Sequence, residues 1–474
     1  MKKLLFCVGI LVVGLLVWEN YTDTACKVWA NKNKDAKAHI QCLLAVQKNT
    51  AASFNTKVAL AKEQLREPLL NKLSNKNQLD FNLEWERVEQ AVSYKVEILD
   101  EENFAAWQQG APYIMLWQAE NIHVPGCNVL LPETYRGKTV YWRVRGLSLD
   151  KEPLNTFSSW QSFSVPQQLA NLRKPRTLEK LQKGRGASLL YPVYTWIPLQ
   201  GVNKYEVEIL SAPPENPNGT TASRYRLAAQ EVTGFDWYDD SPRISQQALY
   251  WRVIGKNEQG RPVGVYSNAI AFQNNPQHNY QIGVLGDSIT HGGGSISYPP
   301  TNLAYSYLHY LDFNAINLGE SGDTSEATLQ RFDADVLPFH LQYLLIMTGS
   351  NSLRGGVSAD SVIADLQELK RKSLAHGIKP VFLTLPPLNP QNIKKGFNQP
   401  TVENWQEEFA KVNTFIRSQV YIDTAAGLSD ARGELPTALA LEGLHMDPPG
   451  KQKMAEAINA AWPYILQLPD SSWQ

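Results

Sequence analysis

Ser288 lies in Gly286-Asp287-Ser288-Ile289-Thr290, directly after the apolar run 282–285. Such a run reads as a buried strand. A serine at a strand's carboxyl end can present its hydroxyl to a cleft, where open α/β sheets place ligand chemistry. The hydroxyl is a weak nucleophile until a base, itself oriented by a third group, takes its proton. Far along the chain, Glu442-Gly443-Leu444-His445 offers an imidazole with a carboxylate three residues before it. Between the two blocks lie Asn317-Leu318-Gly319-Glu320-Ser321-Gly322 and Gly349-Ser350-Asn351. A glycine N–H and an asparagine amide are suitable donors to an oxyanion.

Taken in order, these four blocks resemble the SGNH (GDSL-type) hydrolase family, across about residues 280–466. The resemblance implies Ser288 as nucleophile and His445 as its base. It implies oxyanion donors at the Ser288 N–H, the Gly322 N–H and the Asn351 side-chain amide. It also implies ester hydrolysis through an acyl-serine, a chemistry that requires no cofactor. The chain departs from the family pattern twice. Ser352 stands where the family has Asp, and Glu442 stands where the family has its triad Asp. A glutamate can hold the imidazole tautomer as aspartate does, but its extra methylene shifts the geometry. Asp447 and a backbone carbonyl compete with Glu442 as the orienting group.

Other residues nearby have their own alternatives. Ser288 could instead cap a helix, and Gly322 and Asn351 could be turn residues. His291 is a second candidate base, by its closeness to Ser288 in sequence. Asp287 reads as a structural residue bonded to neighbouring backbone. Gly292-Gly293-Gly294 resembles a phosphate cradle, but no Gly-Lys-Ser/Thr follows, so a flexible rim to the cleft is expected. Arg354 could bind an anionic substrate group or simply lie on the surface. No Cys/His spacing suggests a metal site.

The elements that must position these residues are legible as alternating patterns. Apolar runs at 282–285, 315–318, 343–347, 380–385 and 420–422 alternate with helical patterns at 303–311, 325–337, 359–376, 401–418 and 450–466. Such alternation predicts a parallel sheet with helices on both faces. Upstream, the chain repeats itself at a period of about 110 residues. Trp85, Tyr94-Lys95-Val96-Glu97-Ile98-Leu99 and Tyr141-Trp142-Arg143-Val144 return as Trp196, Tyr205-Glu206-Val207-Glu208-Ile209-Leu210 and Tyr250-Trp251-Arg252-Val253. Apolar and polar residues alternate in both copies, the period of a half-buried strand. The motif order resembles fibronectin type III domains. The expected fold is therefore multidomain: two all-β fibronectin III-like sandwiches (76–166 and 175–273), then an α/β doubly wound, flavodoxin-like parallel-sheet domain (277–474).

A chain of 474 residues with a net charge of −1 exceeds a single core and has no basic surplus for nucleic acid. Lys2 and Lys3 precede an uncharged run, 4–18, which is shorter than a comfortable membrane span. Residues 1–24 are expected to be a signal anchor or signal peptide, and 25–75 a helical stalk, with 35–73 in helical spacing. Both readings export everything after Trp18, either anchored to the cytoplasmic membrane or released. In an oxidising compartment Cys26 and Cys42 could pair, while Cys127 reads as a small buried hydrophobe. With 13 Trp and 20 Tyr, the modules could carry sugar-stacking platforms besides their cores. The expected activity is an exported serine esterase acting on an acylated carbohydrate, most simply by O-acetyl removal. The alternatives are a lysophospholipase- or thioesterase-like lipid esterase, and a carbohydrate-binding scaffold with a degenerate hydrolase domain.

Overall fold

The computed structural model describes residues 78–473 except 155, 166, 168–171 and 179–184. The apolar segment 4–18, the stretch 35–73, and Cys7, Cys26 and Cys42 lie outside the described residues. No helix of the described residues is long and apolar enough to cross a membrane.

The first β module comprises β1 (Gln78–Glu84), β2 (Ser93–Asp100), helix α1 (Glu101–Gln108), β3 (Trp117–Ile122), β4 (Gly126–Pro132), β5 (Thr139–Leu147) and β6 (Gln161–Ser164). One antiparallel sheet runs β3-β2-β5-β6, and β1 pairs with β4 to form the other. Period-two alternation turns Tyr94, Val96 and Ile98 into a shared core with Leu79, Phe81, Val129 and Leu131 from the second sheet. Cys127 is buried in the same core, and burial pushes its thiol pKa up.

The second β module has β7 (Arg176–Thr177), β8 (Val193–Ile197), β9 (Lys204–Leu210), β10 (Arg226–Thr233), β11 (Asp236–Tyr238), β12 (Leu249–Lys256), β13 (Pro262–Val263) and β14 (Ile270–Phe272). The sequence repeat is also a repeat of pairing. Val96 faces Val144 across β2 and β5, and Val207 faces Val253 across β9 and β12. Trp85 packs edge-on against Tyr94 at 5.3 Å, and Trp196 packs tilted against Tyr205 at 5.2 Å.

The third unit holds β15 (Ile282–Gly286), α2 (Ser288–His291), β16 (Ile316–Gly319), α3 (Ser325–Gln330), α4 (Phe332–Val336) and β17 (Tyr343–Met347). It continues with α5 (Ser350–Arg354), α6 (Ala359–Ala375), β18 (Lys379–Leu383), α7 (Pro390–Phe397), α8 (Trp405–Arg417), β19 (Tyr421–Ile422) and α9 (Pro448–Ile465). All five strands are parallel, in the order β16-β15-β17-β18-β19. The order reverses at β15, and a doubly wound sheet opens its ligand crevice beyond the strand ends at such a reversal. Because the strands are buried on both sides, they read as continuous apolar runs rather than alternating ones.

Three local expectations need correction. The helical pattern at 303–311 is two short 3-10 turns, Leu303–Tyr305 and Tyr307–Tyr310, broken where Ser306 is extended (φ −117°, ψ 122°). The stretch 325–337 is split into α3 and α4. The triple glycine is not a loose rim. Gly292 and Gly293 are buried, and their N–H groups donate to Ser288 O and Tyr305 O.

Candidate active site

Three adjacent strands deliver one half of the site at their carboxyl ends. β15 leads to Ser288, β16 to Gly322 and β17 to Asn351. Asp287 caps α2, its Oδ1 accepting from the Ile289 N–H at 2.9 Å, which ties the turn before Ser288 to local backbone. Gly319 lets α2 lie against β16: a Cβ there would fall 2.3 Å from the His291 nitrogen. Gly322 has φ +95°, a conformation that favours glycine, and its N–H makes no backbone hydrogen bond among the described residues. The Ser288 N–H opens α2, where a helix leaves its first amides without internal partners. Asn351 is buried, and its amide donates to Asp323 O at 2.9 Å. Since an amide nitrogen carries two hydrogens, one donor remains.

The other half comes from the loop before α9. Ser288 Oγ and His445 Nε2 are 2.8 Å apart, and His445 Nδ1 and Glu442 Oε1 are 2.6 Å apart. The Glu442 carboxylate also accepts from the His445 N–H at 2.9 Å and the Leu444 N–H at 2.8 Å. A carboxylate accepts only, so Nδ1 carries the imidazole proton and Nε2 keeps a lone pair for the serine hydroxyl. The longer glutamate side chain is absorbed by a tight turn at Gly443 (φ +82°), which folds the carboxylate back onto the next two amides. Phe397 covers the imidazole edge-on, with ring centres 5.9 Å apart.

Asp447 is not on the imidazole. Its Oδ2 accepts from the Leu441 N–H at 2.8 Å, and burial pushes its carboxyl up to about 7. His291 faces away from the serine: its ring contacts Ser321 Oγ at 2.9 Å and Tyr191 O at 2.7 Å. Ser352, at the family's Asp position, accepts from the Ser325 N–H at 2.9 Å, and Ser325 Oγ donates to Asp365 Oδ2 at 2.6 Å. The carboxylate missing at 352 is thus met at one remove from α6. Arg354 is buried rather than on the surface. Its guanidinium pKa is lowered by burial, an effect partly opposed by the Glu442 charge.

Two cations, the buried Lys451 and the partly buried Arg331, escaped sequence reasoning. Arg331 ties the strand ends together, donating to Gly286 O at 2.8 Å, Leu318 O at 2.7 Å, Asp323 Oδ2 at 2.5 Å and Asp335 Oδ2 at 2.7 Å. Lys451 Nζ donates to Ile289 O at 2.7 Å, behind the serine. Burial pushes the Lys451 ammonium down to about 8 and Asp287 up to about 6. No local signal marks Lys451, which acts on a carbonyl far away in the chain, while the i,i+4 spacing of Arg331 and Asp335 records one arm of the arginine network and not its carbonyl contacts.

Comparison with known proteins bears on this region. Residues 284–453 match the family described as GDSL-like Lipase/Acylhydrolase. Among solved structures, a GDSL-like lipase from Bacteroides thetaiotaomicron VPI-5482 is similar at 18% identity, covering 39% of this chain and 88% of that one, with a TM-score of 0.32. A variant of an acetyl-xylooligosaccharide esterase from Geobacillus Stearmophilus is 18% identical over 37% of this chain and 91% of that one, with a TM-score of 0.30. An alpha/beta hydrolase from the metagenome of Lake Arreo is 20% identical over 38% and 93%, with a TM-score of 0.30. No curated protein matches the chain.

Proposed function

With residues 284–453 forming a GDSL-like acylhydrolase domain, an ester-hydrolysing serine hydrolase, we propose that Ser288, His445 and Glu442 are its catalytic triad and that the chain is an exported O-deacylase of polysaccharide. The observation that carries the triad is the unbroken contact chain from Ser288 Oγ through the imidazole to Glu442. His445 Nε2 takes the hydroxyl proton as Oγ attacks the ester carbonyl, and Glu442 stabilises the imidazolium that results. The Ser288 N–H, the Gly322 N–H and the free Asn351 N–H bind the tetrahedral oxyanion. Collapse breaks the ester C–O bond, the imidazolium returns its proton to the leaving alcohol, and an acyl-serine remains. Water, deprotonated by the same Nε2, then attacks that acyl group and releases the acid.

Two features favour a carbohydrate substrate outside the cytoplasm. Lys2 and Lys3 before the apolar run 4–18 favour export. The first β module also bears an aromatic cluster from α1, β5 and the residue before β6: Phe104 stacks on Tyr141 at 3.8 Å, and Trp107 meets Trp160 at 5.4 Å. The repeated strand motifs support fibronectin III-like modules that present the substrate chain to the site. The test is turnover of acetylated glycans, short-chain aryl esters and lysophospholipids by the full chain. Acetate release from glycan at the highest kcat/KM supports the proposal. Preference for lysophospholipid would replace it with a lipid esterase, and no turnover of any ester would replace it with a binding scaffold.

A further inference from the structure

His291 and Tyr191 do nothing in the mechanism above, yet both are buried beside it. Their hydrogen bonds have a single consistent direction. A backbone carbonyl only accepts, so the Nε2 that meets Tyr191 O must carry the ring proton. Burial pushes the imidazole pKa down to about 4, so near neutral pH Nδ1 is a bare lone pair. Ser321 Oγ therefore donates to Nδ1, which holds the serine side chain in one orientation. Ser321 immediately precedes Gly322, and the peptide joining them carries the N–H aimed at the oxyanion.

Tyr191 itself belongs to the entry of β8 in the second β module, not to the hydrolase family region. Residues 188–191 run along the free edge of β16. Leu189 forms a parallel bridge with Asn317, the Leu190 N–H donates to Asn317 O at 3.0 Å, and the Asn317 N–H donates to Ser188 O at 3.2 Å. The Tyr191 hydroxyl donates to Asp335 Oδ2 at 2.7 Å, and its ring lies 5.3 Å from the Arg331 guanidinium. The second module thus grips the same Arg331 network that holds the strand ends.

We propose that Tyr191 and His291 are positioning residues for the oxyanion loop, so that the second β module is a working part of the catalytic centre rather than a spacer. The proposal rests on the assignment of the Gly322 N–H as an oxyanion donor. The loop is pinned on both sides of that amide. Asp323 is held by Arg331 and by Asn351 on one side, and Ser321 by His291 on the other. Releasing the second pin leaves the donor present but misaimed in the transition state.

The test uses the full chain, with kcat counted per fluorophosphonate-titrated site. Ser321→Ala removes the pin at a part-exposed side chain. It is expected to lower kcat about tenfold, a fraction of the loss of a whole donor, while KM stays within about twofold. His291→Gln can donate to Tyr191 O and accept from Ser321, so it is expected to retain more activity than His291→Leu. If Ser321→Ala keeps wild-type kcat per titrated site, the proposal is overturned. So is it if His291→Leu acts only by reducing the fraction of folded sites. Asn351→Ala separates this result from failure of the parent assignment. If that variant keeps full kcat, the oxyanion hole itself is misassigned. If it loses kcat while Ser321→Ala does not, only the positioning role fails.

Discussion

The two halves of the proposed active site are built by different means. Ser288, Gly322 and Asn351 sit at the ends of adjacent buried strands, and several independent groups hold them: the Asp287 cap, Arg331 across the carbonyls, and Lys451 behind α2. His445 and Glu442 sit on a loop bracketed by the Asp447–Leu441 contact, in which the Glu442 carboxylate alone gathers two backbone amides and the imidazole. The strand-borne half is over-determined. The loop-borne half depends on Glu442, which both shapes the turn and carries the charge. Changes to the oxyanion donors of the first half should therefore grade activity, whereas loss of the Glu442 charge in the second should collapse it.

The sharpest way to break this contrast is Glu442→Gln. Its amide presents N–H groups where three donors now converge, and it cannot stabilise the imidazolium. A fall in kcat of about 10⁴ is expected, comparable with the effect of the wrong tautomer in a serine protease triad. Glu442→Asp keeps the charge but shortens the reach to the imidazole, and it should recover part of that loss in the same assay. Asn351→Ala probes the other half. In the proposed role its amide binds charge that develops in the transition state, so kcat should fall about 10²–10³-fold with little change in KM. Steady-state kinetics on an aryl ester read all three variants.

Asp447→Asn is expected to have the smallest effect, leaving kcat within about threefold of wild type. The stability of this variant carries more information. The Asp447 carboxyl titrates near about 7 when folded and about 4 when unfolded. Between those values the folded state holds the extra proton, so this group's contribution is complete at low pH and is lost as pH rises through 7. Removing the charge removes the loss. Asp447→Asn should gain about 2–4 °C in Tm over wild type at pH 8 relative to pH 5, measured by thermal scans at the two pH values.

The same contrast explains what was legible in the sequence. Strands β15 to β18 stand out as apolar runs because burial on both faces demands it, and Ser288, Gly322 and Asn351 follow from where those runs stop. Glu442 and His445 are readable because their interaction is local, three residues apart. The start of α7 has a local signal, since Asn389 followed by Pro390 is a helix start: Asn389 Oδ1 accepts from the Asn392 N–H at 3.1 Å. The pattern at 303–311 misleads because its apolar spacing is met by two 3-10 turns rather than by a continuous helix. Arg331, Lys451 and Tyr191 are hidden for a different reason. Apart from the i,i+4 pair of Arg331 with Asp335, their partners are backbone carbonyls or side chains brought close by the completed sheet, and nothing local in the chain records such a contact.

Labelling with a fluorophosphonate tests the central claim most directly. The phosphorus is attacked only by a serine whose proton has a positioned base, and its oxygen then occupies the oxyanion site. In the folded full chain, mass spectrometry of the digested adduct should place the phosphonyl group on Ser288 alone, with Ser288→Ala unlabelled and without esterase activity. Labelling at another serine, or ester turnover surviving in folded Ser288→Ala, would contradict the account.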